Sequence, residues 1–298
     1  MLSSLSANHS QAPGTTLILV AATCWGIAGG VGGVLIEKGW DPIVVSFYRG
    51  ALTLLFAIFW LLISTERRGL VCRQLWMWSA LAGAGVAGAF SFYFAGMKTG
   101  NVAIAATLLY SAPVFVFFAE YLSGRERMTL KNVLGLFLVI AGVALLSGFF
   151  SQSATSIGTS AVALGLLSGA CYALFIFGFQ KAGTFGNTPV VMTAAFAVET
   201  ALLAALAGAG VWPTVMQPID AGLILVLGVL GGGVSFLFYI VGLKNSSASA
   251  AAVLGMAEPL TAAAFGFVVL SQSLSPQQIL GAGILLATVT WLQRRPSQ

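Results

Sequence analysis

The sequence predicts an all-α membrane protein of ten transmembrane helices arranged as two inverted five-helix repeats. Three observations carry that expectation. The first is composition: of 298 residues 58% are hydrophobic and 7% charged, with mean hydropathy +0.98, which is more apolar surface than a water-soluble domain of this length can bury. The second is a series of ten apolar stretches, each close to the roughly 20 residues that cross a hydrocarbon core about 30 Å thick. The third is a motif that occurs twice at a constant offset of 146 residues.

In chain order the apolar stretches cover about 15–36, 42–63, 75–97, 102–121, 130–150, 158–180, 189–209, 220–243, 247–270 and 276–293. The breaks between them, such as EKGWDP, STERRGLVCR, KTGN and SGRERMTLKN, are too short to form an extramembrane domain. Residues 1–14 read as a polar tail that holds the single histidine, His9, and lacks the basic start of a signal peptide, so a retained first helix is expected. Residues 294–298 form a second tail. Small residues four apart, such as Gly26 with Gly30 and Gly165 with Gly169, suit helices that pack in lipid, where apolar burial gives no drive for association. Cys24, Cys72 and Cys171 show no CxxC spacing and read as small core residues.

Lysine and arginine set the orientation. With the N-terminus inside, Arg67, Arg68, Arg73, Arg125, Arg127, Lys131, Lys181, Lys244, Arg294 and Arg295 fall on the cytoplasmic side, and only Lys38 and Lys98 fall outside. Both termini are therefore expected in the cytoplasm.

The offset of 146 superimposes Phe90, Phe92, Tyr93, Gly96 and Lys98 on Phe236, Phe238, Tyr239, Gly242 and Lys244, and then Pro113 on Pro259. A shared FxFYxxGxK with a proline fifteen residues on is hard to obtain by chance from an Ala/Gly/Leu-rich chain. Because five helices return the chain to the opposite side, the second copy is inverted, and Lys98 and Lys244 face opposite ways. Inverted repeats let one pattern form both gates of an alternating-access transporter, with substrate near the midplane. The repeats are expected at residues 15–150 and 158–293.

Four ionisable residues lie within apolar stretches: Arg49, Glu120, Glu199 and Glu258. A charge at membrane depth costs about 2.5–3.5 kcal/mol even on lenient insertion scales, so each needs a partner or a watery cavity. Glu120 is expected to snorkel toward Arg125 or solvent, Glu199 to be a protonated, hydrogen-bonded carboxyl packed between helices, and Arg49 to clamp loop carbonyls or a helix end. Glu258 differs because it precedes Pro259, which removes a donor and loosens the turn; Pro113 takes the matching place in the fourth helix. These prolines read as hinges, or as mere packing features.

Trp25, Tyr110 and Tyr172 fall near mid-span, away from the interfacial belts, so their polar tips suit a substrate cavity, although tight core packing accounts for them too. Tyr93 and Tyr239 lie nearer opposite ends and suit gates. Lys98 and Lys244 are either point charges that attract carboxylate or phosphate at opposite mouths, or solvated helix ends. Trp40, Trp60, Trp76, Trp78, Trp212 and Trp291 read as interfacial anchors.

With its duplicated five-helix unit, Trp25-Gly26 in the first helix, Tyr48-Arg49 in the second and the spaced GxK, Pro and Gly positions, the chain resembles the EamA family of the drug/metabolite transporter superfamily. Within that family it looks most like aromatic amino acid exporters of the YddG type. The resemblance implies ten helices around a central cavity lined by helices one, three, four, six, eight and nine. The second repeat departs from the pattern, with Cys171 where Trp25 stands and Ala195-Phe196 near the place of Arg49. The first helix also lacks the glutamate of the small multidrug proton antiporters, so coupling through that site is not expected.

The functional expectation is a secondary transporter that exports small metabolites, aromatic and other apolar amino acids first, from a bacterial inner membrane. A broad exporter of hydrophobic drugs or cations is the alternative; a channel lacks a filter-like loop or rings of charge. No catalytic cluster is recognisable, and neither a GxxxxGK[ST] nucleotide loop nor paired metal ligands occur, so an enzyme, a cofactor and a metal are not expected. Expected partners are a small amino acid substrate and membrane lipid, with no nucleic acid and a monomer as the working unit.

Overall fold

The computed structural model describes residues 11–65, 67–99, 102–127, 129–149, 159–208 and 218–293. Every regular element among them is helical: α1 Gln11–Glu37, α2 Pro42–Ile63, α3 Arg73–Thr99, α4 in two pieces (α4a Val102–Leu109, α4b Ala112–Leu122), α5 Leu130–Leu146, α6 Thr159–Ala182, α7 Thr188–Ala207, α8 from Pro218 to Leu243, α9 again in two pieces (α9a Ala248–Leu254, α9b Ala257–Val268) and α10 Pro276–Gln293. Eight of the ten are long and apolar enough to cross a membrane; α5 is a shorter apolar helix of 17 residues, and α10 has 18. The first helix begins at Gln11, four residues before the apolar stretch, and takes in Ala12, Pro13 and Gly14, which the sequence assigned to the tail. Residues 1–10 and 294–298, with His9, Arg294 and Arg295, lie outside the described residues, as do Trp212 and the side chain of Lys98.

Local chemistry explains the helix starts. Asp41 caps α2 by accepting from the backbone N–H groups of Ile43 (2.8 Å) and Val44 (3.4 Å), with Pro42 at the first helical position where its missing donor is harmless. Gly39 turns the chain between α1 and α2 at φ +94°, a conformation that a side chain would strain. Thr129 and Ser247 cap α5 and α9a by accepting from Asn132 N and Ala250 N.

Helix pairing repeats when the two halves are exchanged. α1 packs on α8 as α6 packs on α3, α1 packs on α9 as α6 packs on α4, and α8 packs on α2 as α3 packs on α7. Three seams join a helix to its own counterpart: α2 with α7, α5 with α10 and, at one end only, α4b with α9a. The internal two-fold axis therefore passes through these seams. Glycines allow the closest approach: a Cβ on Gly83 would lie 2.0 Å from the Ala195 carbonyl oxygen, where α3 crosses α7. α8 carries a π-helical stretch at Val229–Val234, whose three consecutive glycines press on α1 and α2 at Ala28, Thr53 and Phe56.

Candidate functional site

The site forms where α4 and α9 break. Proline cannot donate to the carbonyl one turn back, so it favours the first turn of a helix, and Pro113 and Pro259 each sit in the first turn of the second piece. On the α4 side the backbone tightens, with Ser111 N donating to Leu108 O and Val114 N to Ser111 O; on the α9 side Met256 N donates to Val253 O and Glu258 N to Gly255 O. The breaks place Tyr110 between α4a and α4b, and Glu258 in the first turn of α9b. The two meet. Tyr110 Oη donates to Glu258 Oε1 and Tyr172 Oη, from α6, donates to Oε2, each at 3.3 Å. Gly255 lies close beside them: a Cβ there would stand 3.2 Å from the Tyr172 hydroxyl, a tight contact.

An aromatic layer lies next to this carboxylate. The Trp25 ring is centred 4.8 Å from Tyr239, 5.0 Å from Phe236 and 6.2 Å from Phe175, and Phe175 is 4.4 Å from Tyr172. Trp25, Tyr172 and Tyr239 are buried, whereas Tyr93, Tyr110 and Glu258 are half-buried. Of the expected cavity residues the first three are thus packed into a floor of rings, and the last three line the more open side. Two polar atoms in the floor have no hydrogen-bond partner among the described residues, Trp25 Nε1 and the Tyr239 hydroxyl. Phe175 was not singled out in the sequence, because a phenylalanine in an apolar helix carries no signal of its own.

Two expectations about buried charge, for Arg49 and Glu120, are corrected, and a third gains a charged partner. Arg49 does not clamp loop carbonyls or a helix end, and the hydrogen bond expected of Glu199 between helices comes from that arginine: Arg49 Nη2 donates to Glu199 Oε1 at 3.0 Å across the α2–α7 seam. Both side chains are buried, Arg49 at 7% exposure and Glu199 at 0%. Phe90 stacks 3.9 Å from the guanidinium carbon, and Gly50 leaves room for the carboxylate. Glu120 does not snorkel. It is 4% exposed and accepts from both the backbone N–H (3.0 Å) and the hydroxyl of Ser249, which fastens the end of α4b to the start of α9a. A weak sequence signal for the ion pair existed: with the offset of 146, Glu199 falls on Thr53, one turn from Arg49 on a repeat-related helix.

The two ends of the molecule differ. At the end that carries Lys244, α4b packs on α9a, Phe236 and Tyr239 are sealed, and Gln180 Nε2 donates to Ser246 O. At the end that carries Lys98, α4a packs on α3, α5 and α6 while α9b packs on α1, α5 and α10, and Phe90 and Tyr93 are half-exposed. An ion pair between Lys38 and Asp220, joined by Trp40 Nε1 donating to Asp220 at 3.2 Å, ties the α1–α2 turn to α8 at this end. Lys244 is exposed and lines a surface cavity of about 440 Å³ with Trp60, Asn187 and Pro189; its partial burial and the nearby Arg68 charge hold its ammonium below the usual lysine range. Pro113 lines a smaller cavity of about 150 Å³ with Glu126, Ser247 and Ser249. Neither cavity reaches Glu258, whose surroundings are set by the ring and hydroxyl contacts above.

Ten helices in two exchangeable halves, with the broken helix of each half meeting at mid-depth, define a multi-pass membrane transporter. The chain belongs to the EamA-like transporter family, whose pattern matches it twice, over residues 12–148 and 159–293. It is 26% identical over 284 residues to YwfM of Bacillus subtilis, described as an uncharacterized transporter, covering 94% of this chain and 93% of that one. It is 28% identical over 196 residues to the aromatic amino acid exporter YddG of Ancylobacter novellus, covering 64% of this chain and 66% of the relative. A crystal structure at 20% identity superposes with a TM-score of 0.76, covering 98% of this chain and 99% of its own, and so shares the fold.

Proposed function

We propose that the protein exports small metabolites, aromatic and other apolar amino acids above all, by alternating access between its two repeats. The observation that carries this reading is Glu258. A half-buried carboxylate at the junction of two broken helices, held by two tyrosine hydroxyls and bordered by Trp25, Tyr172, Phe175 and Tyr239, offers an acceptor for an ammonium group beside apolar walls for a side chain. The likeness to an aromatic amino acid exporter supports the same substrate class. In this reading Pro113 and Pro259 are the hinges, Tyr93 and Tyr239 the gates, and Lys98 and Lys244 point charges at opposite mouths. In a bacterial inner membrane the excess of lysine and arginine on one side supports an orientation with both termini and the Lys244 end in the cytoplasm, so that the cytoplasmic end is the closed one.

A second reading is export of hydrophobic amines or cations. It is favoured by the lack of an ion-pair partner for Glu258 among the described residues, in contrast to Glu199. Uptake into proteoliposomes of the full chain, from a panel of labelled amino acids and arylalkylamines with and without a pH gradient, separates the two. Movement of phenylalanine, tryptophan, leucine and methionine supports the first reading. Movement of amines alone supports the second and ends the first. Trp25→Ala should shift selection between aromatic and small substrates by about 1–3 kcal/mol, the usual weight of a ring or methylene in an apolar pocket.

A further inference from the structure

Polar atoms buried without a partner are rare in folded proteins, and each calls for a reason. Trp25 Nε1 and the Tyr239 hydroxyl are both such atoms; they belong to rings 4.8 Å apart, in the layer next to Glu258. The indole can only donate, and the phenol can donate as well as accept. Two neutral donors without acceptors, on the floor of a site whose tyrosine hydroxyls at Tyr110 and Tyr172 are already spent on the acceptor-only Glu258 carboxylate, make a complementary pair of half-sites with it.

We propose that Trp25 Nε1–H and the Tyr239 O–H bind the carboxylate of a zwitterionic substrate whose ammonium group is taken by Glu258. The proposal rests on the amino acid reading above and assigns the second charged end of the substrate. Other cationic candidates are already committed or distant: Arg49 is paired with Glu199 and covered by Phe90, and Lys244 lies beyond the far end of α8. Phe175 links Tyr239 to the carboxylate: its ring is centred 6.1 Å from Tyr239 and 4.4 Å from Tyr172, whose hydroxyl donates to Glu258. The repeat relation explains why the Tyr239 donor is idle at present. Tyr239 is fully buried while its counterpart Tyr93 is half-exposed, so exchange of the two gates brings Tyr239 into the setting that Tyr93 occupies now, where a substrate entering from the Lys244 end meets it.

An idle hydroxyl gives a clean test, because Tyr239→Phe removes nothing that holds the closed end together. The variant should unfold in detergent at the same temperature as the parent or higher. In proteoliposomes it should lose about ten-fold in transport of L-phenylalanine, the usual weight of a hydrogen bond to a charged group. Transport of phenethylamine, which lacks the carboxylate, should stay within about two-fold, since the lost donor has nothing to bind there. Equal losses for both compounds, or no loss for either, overturn the assignment. A parent protein that moves phenethylamine but not phenylalanine overturns the amino acid reading itself, and is told apart by needing no variant at all.

Discussion

The same motif, FxFYxxGxK, stands in two environments in one chain. At the Lys98 end Phe90 and Tyr93 are half-exposed, and the adjoining halves α4a and α9b pack away from each other onto different neighbours. At the Lys244 end Phe236 and Tyr239 are sealed, and α4b and α9a are fastened by Glu120 and Ser249. The motif is the same at both ends, so the residues around it set the difference: Glu120 and Ser249 fasten the closed end, where their repeat counterparts at the other end are Gly266 and Ala103. In the proposed alternating-access cycle the two copies hold the two alternative arrangements of a gate at once.

The largest expected effect comes from the seam about which the two ends exchange. Glu199→Ala leaves Arg49 buried without an anion, and should destabilise the protein by about 3–5 kcal/mol, read as a lowered unfolding temperature in detergent. Combining it with Arg49→Met should recover most of that loss. A single variant as stable as the parent would show that the pair holds neither half.

A smaller effect is expected at the fastening of the closed end. Glu120→Ala removes an acceptor from Ser249 and should favour the opposite conformation by about 1.5–3 kcal/mol, the range for hydrogen bonds to charged groups. Single cysteines at Lys98 and Lys244, in a background without native thiols, read the shift: labelling at position 244 should quicken while labelling at position 98 slows. Changes of the same sign at both positions would break the comparison between the ends.

The smallest effect concerns Glu126, beside that fastening. Burial, and then the charge of Glu120, hold its carboxyl above the usual range, while a backbone hydrogen bond at Arg127 acts in the opposite sense. A raised carboxyl means that the folded protein disfavours the ionised form, so Glu126 withholds stability at neutral pH and returns it as pH falls. Glu126→Gln should therefore stabilise the protein by a few tenths of a kcal/mol at pH 7 and by nothing once pH falls below the unfolded carboxylate range. A greater gain in acid than at pH 7 would reverse the assigned sign.

The parts that could be read in the sequence are those that depend on local chemistry or repetition. Apolar length gave the helices, the duplicated motif gave the two halves, and Pro113 and Pro259 marked the breaks because a missing donor acts wherever it occurs. Glu258 stood out for the same reason, through its neighbour. Arg49 with Glu199 and Glu120 with Ser249 could not be read so easily, since they pair residues 150 and 129 positions apart, and a lone buried charge does not name its partner. The packing of Trp25 and Tyr172 into a floor was equally hidden, because depth in a helix does not fix the direction a ring faces.

The Arg49–Glu199 pair also bears on how such a chain could have arisen. In a homodimer of two copies of the first five helices, the α2–α7 seam would become α2 against α2, and the position of Glu199 would be filled by Thr53. Each Arg49 would then face a threonine, and two cations would lie buried near the axis with no anion between them. Fusion of the halves into one gene frees each copy to mutate alone, and an acid can then be placed on one side only. The pair is therefore a mark of divergence after duplication, and the first half alone should not assemble into a stable symmetric transporter.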